Sequence, residues 1–138
     1  MIRGIARTAL KSWLDLPARR SQRFPRYETF MTTEKIDNVS ITTQANVYFD
    51  GKCISHGFML ADGSKKSVGV ILPANLSFNT EAPEIMECVG GACEYKLAGT
   101  EHWLKSSVGE KFSVPGKSKF DIHVAEGFAA YHYICHFA

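Results

Sequence analysis

Two histidines and a cysteine crowd the end of the chain: His132, Cys135 and His136. On a helix, a four-residue spacing would put both imidazoles on one face, where they could grip a metal ion. The surroundings, Tyr131-His132-Tyr133-Ile134-Cys135-His136-Phe137, read instead as a strand. There the two rings share a face but stand two pleats apart. Metal binding is therefore the weaker reading, and these residues, with His56, His102 and His123, read as surface or internally satisfied histidines. A nucleophilic role for Cys135 would need a cation beside it, and only the two histidines are near in sequence. Cys53, Cys88, Cys93 and Cys135 form no CxxC pair, so neither a zinc knuckle nor a dithiol redox motif is present. They read as buried thiols of a chain kept in a reducing compartment, the cytoplasm.

The elements that would position these groups are strands. From Asn46 onward, short β-branched and aromatic runs alternate with turn residues, and the pattern predicts strands at 46–50, 52–60, 65–72, 75–79, 84–89, 92–98, 101–105, 111–114, 118–124 and 128–137. Asp50-Gly51, Asp62-Gly63, Gly90-Gly91 and Pro115-Gly116 supply turns. Phe120, Ile122 and Val124 alternate with Lys119, Asp121 and His123, so Ser118 shares the face of Phe120. Ten short strands over residues 46–138 suit an all-β jelly roll.

Charge divides the 138 residues. All six arginines lie in the first twenty-six, giving residues 1–30 a net charge of +5, whereas residues 31–138 carry −3. The basic arm is no argument for nucleic-acid binding, because the domain's own charge would repel a phosphate backbone. No run of eighteen apolar residues could span a membrane. Residues 1–45 are expected to be a disordered or weakly helical arm, with a short amphipathic helix over 5–16. Residues 1–30 fit either an organelle transit peptide or, the favoured reading, a translated stretch upstream of a working start at Met31.

A spacing then narrows the fold. Phe78-Asn79-Thr80-Glu81-Ala82-Pro83-Glu84, six residues and Gly91 resemble the first motif of the cupin family, and Gly109, Pro115 and Phe120 resemble the second. In that family three histidines and the glutamate hold a metal. Here Phe78, Thr80 and Phe120 stand at the histidine positions, and one carboxylate does not make a metal site. The resemblance therefore implies a single cupin barrel over residues 46–138 that uses no metal and no other cofactor.

Further segments resemble one group of small cupins, the pyrimidine/purine nucleoside phosphorylase family. They are Tyr48-Phe49-x-Gly51, Ser67-Val68-Gly69-Val70, Phe78-x-Thr80-x-x-Pro83-Glu84-x-Met86, Phe112-x-Val114-Pro115-Gly116-x-Ser118-x-Phe120 and the closing Tyr133-Ile134-Cys135. The resemblance implies phosphorolysis of purine and pyrimidine nucleosides to free base and ribose 1-phosphate, by a homodimer. Members carry arginine just before the Ser-Val-Gly-Val stretch or after the closing cysteine. This chain has Lys65, Lys66 and His136 there, so any phosphate site lacks a guanidinium fork.

Such a reaction builds positive charge on the sugar and negative charge on the leaving base. It calls for a carboxylate at the ribose, a donor for the base, and a fixed anion site. On the family frame Glu84 is the candidate for the ribose. Phe78, Thr80, Met86, Phe112, Phe120 and Tyr133 are candidates to bind substrate, the aromatic ones by stacking the base. Ser67 and Ser118, the latter with backbone N–H groups near Gly116, are candidates for phosphate, while Lys65 and Lys66 read as solvated. Two other readings stay open: a cupin that binds a small ligand without chemistry, and a metal-dependent cupin pairing Glu84 with a strand histidine.

Overall fold

The computed structural model describes residues 34–127 and 130–138. The basic segment and its expected helix over 5–16 lie outside the described residues. The strands are β1 (Ser40–Ile41), β2 (Asn46–Tyr48), β3 (Cys53–Met59), β4 (Lys65–Ile71), β5 (Ala74–Thr80), β6 (Glu84–Gly90), β7 (Ala92–Leu97), β8 (Leu104–Ser107), β9 (Lys111–Val114), β10 (Ser118–Val124) and β11 (Tyr131–Phe137). One sheet runs β1-β3-β4-β11-β6-β9, with β2 also paired to β3. The other runs β5-β10-β7-β8.

Alternation explains how the two sheets close on each other. Along β10, Phe120, Ile122 and Val124 are buried, whereas Lys119 is exposed. Along β6, Met86 and Cys88 are buried and Ile85 is exposed. The inward residues join Ile71, Phe112 and Tyr131 in one core. Each such side chain, fully buried, contributes roughly 1.5–3 kcal/mol.

Strands β9 and β10 fall where the sequence predicts. Two segments differ. Ser40 and Ile41, within the stretch read as an arm, pair with Met59 and Phe58, so the sheet begins before residue 46. A two-residue strand has no periodicity to read, and only its partner defines it. The strand expected at 101–105 lies at 104–107, because Gly99 (φ 79°) and the Thr100 N–H bond to Leu97 O form a turn first.

Two backbone features shape the region between β2 and β4. Phe49, Asp50 and Gly51 follow one another with φ of 52°, 53° and 89°. A bulky residue in this left-handed region is strained by about 1–2 kcal/mol. The turn is held by the Lys52 N–H bond to Phe49 O (3.1 Å) and by the Phe49 ring, edge-on to Phe78 at 5.1 Å. On β4, a Cβ added to Gly69 would lie 2.7 Å from both the Tyr133 hydroxyl oxygen and Ile54 O. Gly69 thus leaves the space that the Tyr133 ring occupies.

Candidate active site

A cavity of about 220 Å3 lies between the sheets. Strands β3, β4, β6 and β11 supply Ser55, Ser67, Glu84, Met86, Tyr133 and Cys135, and the opposite sheet supplies Phe78, Asn79 and Phe120. The mechanism of convergence is register. Phe78 pairs with Phe120 across β5 and β10, and Glu84 pairs with Phe137 across β6 and β11. Every second residue of each strand then faces the same space.

Glu84 is half-buried. Burial pushes its carboxyl above the usual range, and a hydrogen bond from the Cys135 thiol partly offsets the rise. The neighbouring groups are no competing acids or nucleophiles at neutral pH. Burial, then the Glu84 charge, pushes the Cys135 thiol up, and burial likewise pushes up Cys53 and the Tyr133 phenol. The thiols stay protonated, so Cys135 acts as a donor to Glu84. The Tyr133 hydroxyl meets Cys53 Sγ at 3.6 Å.

The cavity adjoins a groove of about 630 Å3, and Tyr48, Ser55, Ser67 and Phe137 line both. Lys65 and Lys66 line the groove. The two lysines are not equivalent. Lys65 shares the strand face of Ser67, Gly69 and Ile71, the face that looks into the cavity, and Lys66 shares the opposite face with Val68 and Val70.

Six of the sequence candidates therefore surround one space: Ser67, Phe78, Glu84, Met86, Phe120 and Tyr133. Three others are placed elsewhere. The buried Thr80 hydroxyl donates to Pro115 O at 2.6 Å and accepts the Ser118 N–H at 3.2 Å, tying β5 to the turn before β10. Ser118 sits at that tie, and the Lys117 N–H is bonded to Glu81 O. Both of these N–H groups are therefore engaged within the protein. Phe112 stacks on Tyr95 at 3.8 Å, away from the cavity wall. The lining groups that the sequence reading missed are Tyr48, Cys53, Ser55, Ile71, Asn79 and Phe137. Tyr48 carried a signal, since it opens one of the family-like segments.

The former ligand positions and the histidines have other engagements. Phe78 and Phe120 stack with centroids 5.4 Å apart. His136 bonds to Glu87 at 2.7 Å, with Lys111 at 3.4 Å from the same carboxylate. Burial raises the Glu87 carboxyl, but the His136 hydrogen bond and the Lys111 charge outweigh it and hold the group below its usual range. His56 bonds to Thr42 O, and His123 to Asn75. Among the described residues no three His, Cys, Asp or Glu side chains converge. A separate depression of about 160 Å3 on the four-stranded sheet is bordered by Glu94, Lys105 and His123. Glu94 is paired with Lys105 and with His123 across the ladder, as in a solvated charged face.

Two antiparallel sheets closed over a carboxylate-bearing cavity define a cupin barrel. In agreement, an RmlC-like cupin from Shewanella frigidimarina superposes with a TM-score of 0.53 at 11% identity, over 70% of this chain and 83% of that one. The chain belongs to the pyrimidine/purine nucleoside phosphorylase family, whose model matches residues 43–137. A relative of that name from Polaromonas naphthalenivorans is 81% identical over 108 residues, 78% of this chain and 100% of the relative. Another, from Ralstonia nicotianae, is 67% identical over the same share of each. A crystal structure from Acinetobacter sp. ADP1, described as a protein of unknown function, is 40% identical with a TM-score of 0.72, over 75% of this chain and 98% of that one.

Proposed function

We propose that the protein is a nucleoside phosphorylase, a pentosyltransferase that takes purine and pyrimidine nucleosides and inorganic phosphate to free base and ribose 1-phosphate. The observation that carries this reading is the meeting of the Glu84 cavity with a groove bearing Lys65, Lys66 and Ser67. A carboxylate and a lysine-bearing cleft thus lie in adjoining spaces that share Tyr48, Ser55, Ser67 and Phe137 as walls. The names of the relatives support the same reaction.

Glu84 accepts hydrogen bonds from the ribose hydroxyls and faces the positive charge that develops on the ring. Lys65 and the Ser67 hydroxyl hold phosphate, with the lysine acting as a point charge in a region without arginine. A phosphate oxygen bonds to C1′ as the C1′–N bond breaks. The bonding pair leaves with the base, which takes a proton at the open mouth. Phe78, Met86, Phe120 and Tyr133 form the apolar wall that keeps water from the cation.

The protein acts in this reading as a homodimer in the cytoplasm. The family resemblance read from the sequence implies the dimer, and the sheets end at β1, β5, β8 and β9, edges that a second chain would cover. Four free buried cysteines suit a reducing compartment. Light scattering that gave a monomer mass would remove the dimer.

The test of function is incubation of the purified protein with uridine or inosine, with and without phosphate. Release of base together with ribose 1-phosphate, only when phosphate is present, is the expected result. Binding of nucleoside with no release under either condition would leave a ligand-binding cupin without chemistry.

A further inference from the structure

Within the proposed reaction, the aromatic residues in and against the core face a difficulty as partners for the base. Phe78 and Phe120 stack on each other with rings 18° from parallel, and Phe112 and Tyr95 stack at 7°. Their π faces are turned to one another. Phe78 also meets Phe49, and Phe120 meets Phe112, in T-shaped contacts. The cavity is also small. Its volume is about 220 Å3, against roughly 300–1,000 Å3 for ordinary ligand pockets, and it continues into the groove.

Two other rings stand where the cavity meets the groove. Tyr48 and Phe137 line both spaces and are 48% and 45% exposed. Among the described residues neither packs against another aromatic ring. Phe137 is the cross-strand partner of Glu84, so a sugar held by Glu84 has this ring beside it. Tyr48 directly precedes the left-handed Phe49-Asp50-Gly51 turn, which pins the chain to Phe78 immediately after it. Strain of this kind persists only where the surroundings hold it, and it gathers at ligand sites.

We propose that Tyr48 and Phe137 form the base subsite: an aromatic rim on which the nucleobase stacks outside the cavity while the sugar sits inside. This inference rests on the phosphorylase reading and adds to it the source of its breadth. A rim that offers ring faces gains stacking from any base, whereas a pocket built on hydrogen bonds would select one base edge. Purines and pyrimidines are therefore accepted because neither must fit within the walls.

The test is steady-state kinetics with uridine and inosine for the wild type, Tyr48→Ala, Phe137→Ala, Tyr48→Phe and Tyr48→Leu. Each alanine variant is expected to raise KM for both nucleosides by roughly five- to hundredfold, the range that one stacking contact supplies, with kcat and the phosphate KM largely kept. Tyr48→Phe should behave as wild type, and Tyr48→Leu, which keeps bulk without a π face, should resemble the alanine variant. Unchanged nucleoside KM in both alanine variants would overturn the rim, as would a loss confined to one base class. The same variants titrated with uracil and hypoxanthine by NMR separate the two levels of argument. If the wild type cleaves neither nucleoside but binds both bases through these rings, the rim stands and the reaction falls; binding of neither base removes both.

Discussion

Replacing Glu84 by glutamine keeps the size of the side chain and its capacity to accept from a hydroxyl, and removes the charge. A positive charge developing on the ribose ring at about 5 Å, in a half-buried site with an effective dielectric constant near 20, interacts with the carboxylate by about 3 kcal/mol. The charge exists in the transition state and not in bound substrate. Turnover should therefore fall by about a hundredfold or somewhat more, while nucleoside binding changes far less. Stability moves the other way. Burial raises the folded-state pKa of Glu84, so the folded chain holds that proton more tightly than the unfolded chain. This favours folding fully at pH below the ordinary carboxylate value of about 4.3, and the advantage is lost as pH rises through the higher folded value. At neutral pH the ionised group is a liability that glutamine lacks, so the variant's melting temperature should stay level or rise. The same shift should place the acid limb of kcat/KM in the wild type above the ordinary glutamate range. The assay is single-turnover base release from uridine at saturating phosphate, with melting curves run in parallel. Near-normal turnover would refute the electrostatic argument, and lost activity accompanied by a collapsed melting transition would return Glu84 to a role in folding.

Gly69→Ala should lower both stability and turnover, because its Cβ would lie against Tyr133 and Ile54 O; paired thermal melts and rate assays check this, and an unchanged rate would show that Tyr133 need not keep its place. Lys65→Met should raise the phosphate KM by about tenfold, the effect of losing one charge-assisted contact, and Lys66→Met, on the opposite strand face, should leave it within about twofold. Equal effects in the two phosphate titrations would dissolve the distinction between the faces. Thr80→Val should destabilise by about 1–3 kcal/mol in urea unfolding, since it strands the Ser118 N–H and removes the donor to Pro115 O, with substrate KM unaltered.

Alternation made much of this molecule legible in the sequence. It placed β9 and β10 and put Ser118 on the face of Phe120, because a strand's side-chain period is fixed locally, while Phe78, Met86 and Tyr133 were singled out by the family resemblance. What alternation cannot convey is depth. Thr80 and Phe112 share the inward face with the cavity residues, yet one is taken by a turn and the other by Tyr95, and both partners come from segments distant in sequence. Tyr48 and Phe137 escaped notice for the opposite reason. A half-exposed ring at the end of a strand looks in sequence like any edge residue; Tyr48 had only its place in a family-like segment to mark it, and the neighbouring groove gives both rings their meaning. The choice between Lys65 and Lys66 likewise needed the cavity, because alternation separates their faces without saying which one looks inward.

The stacked pair of Phe78 and Phe120 bears on how β5 and β10 are held side by side within their sheet. In a barrel whose ligand positions hold histidines, β5 and β10 would be bridged through an ion, and the bridge would come and go with supply, chelation and acidity. Here the same two cross-strand positions meet ring on ring, a contact worth about 0.5–1.5 kcal/mol beyond the area it buries. The contact has nothing to dissociate and nothing to titrate. The fastening between these strands is synthesised with the chain, complete as soon as the polypeptide folds, and its strength is set by the genome instead of by the contents of the medium.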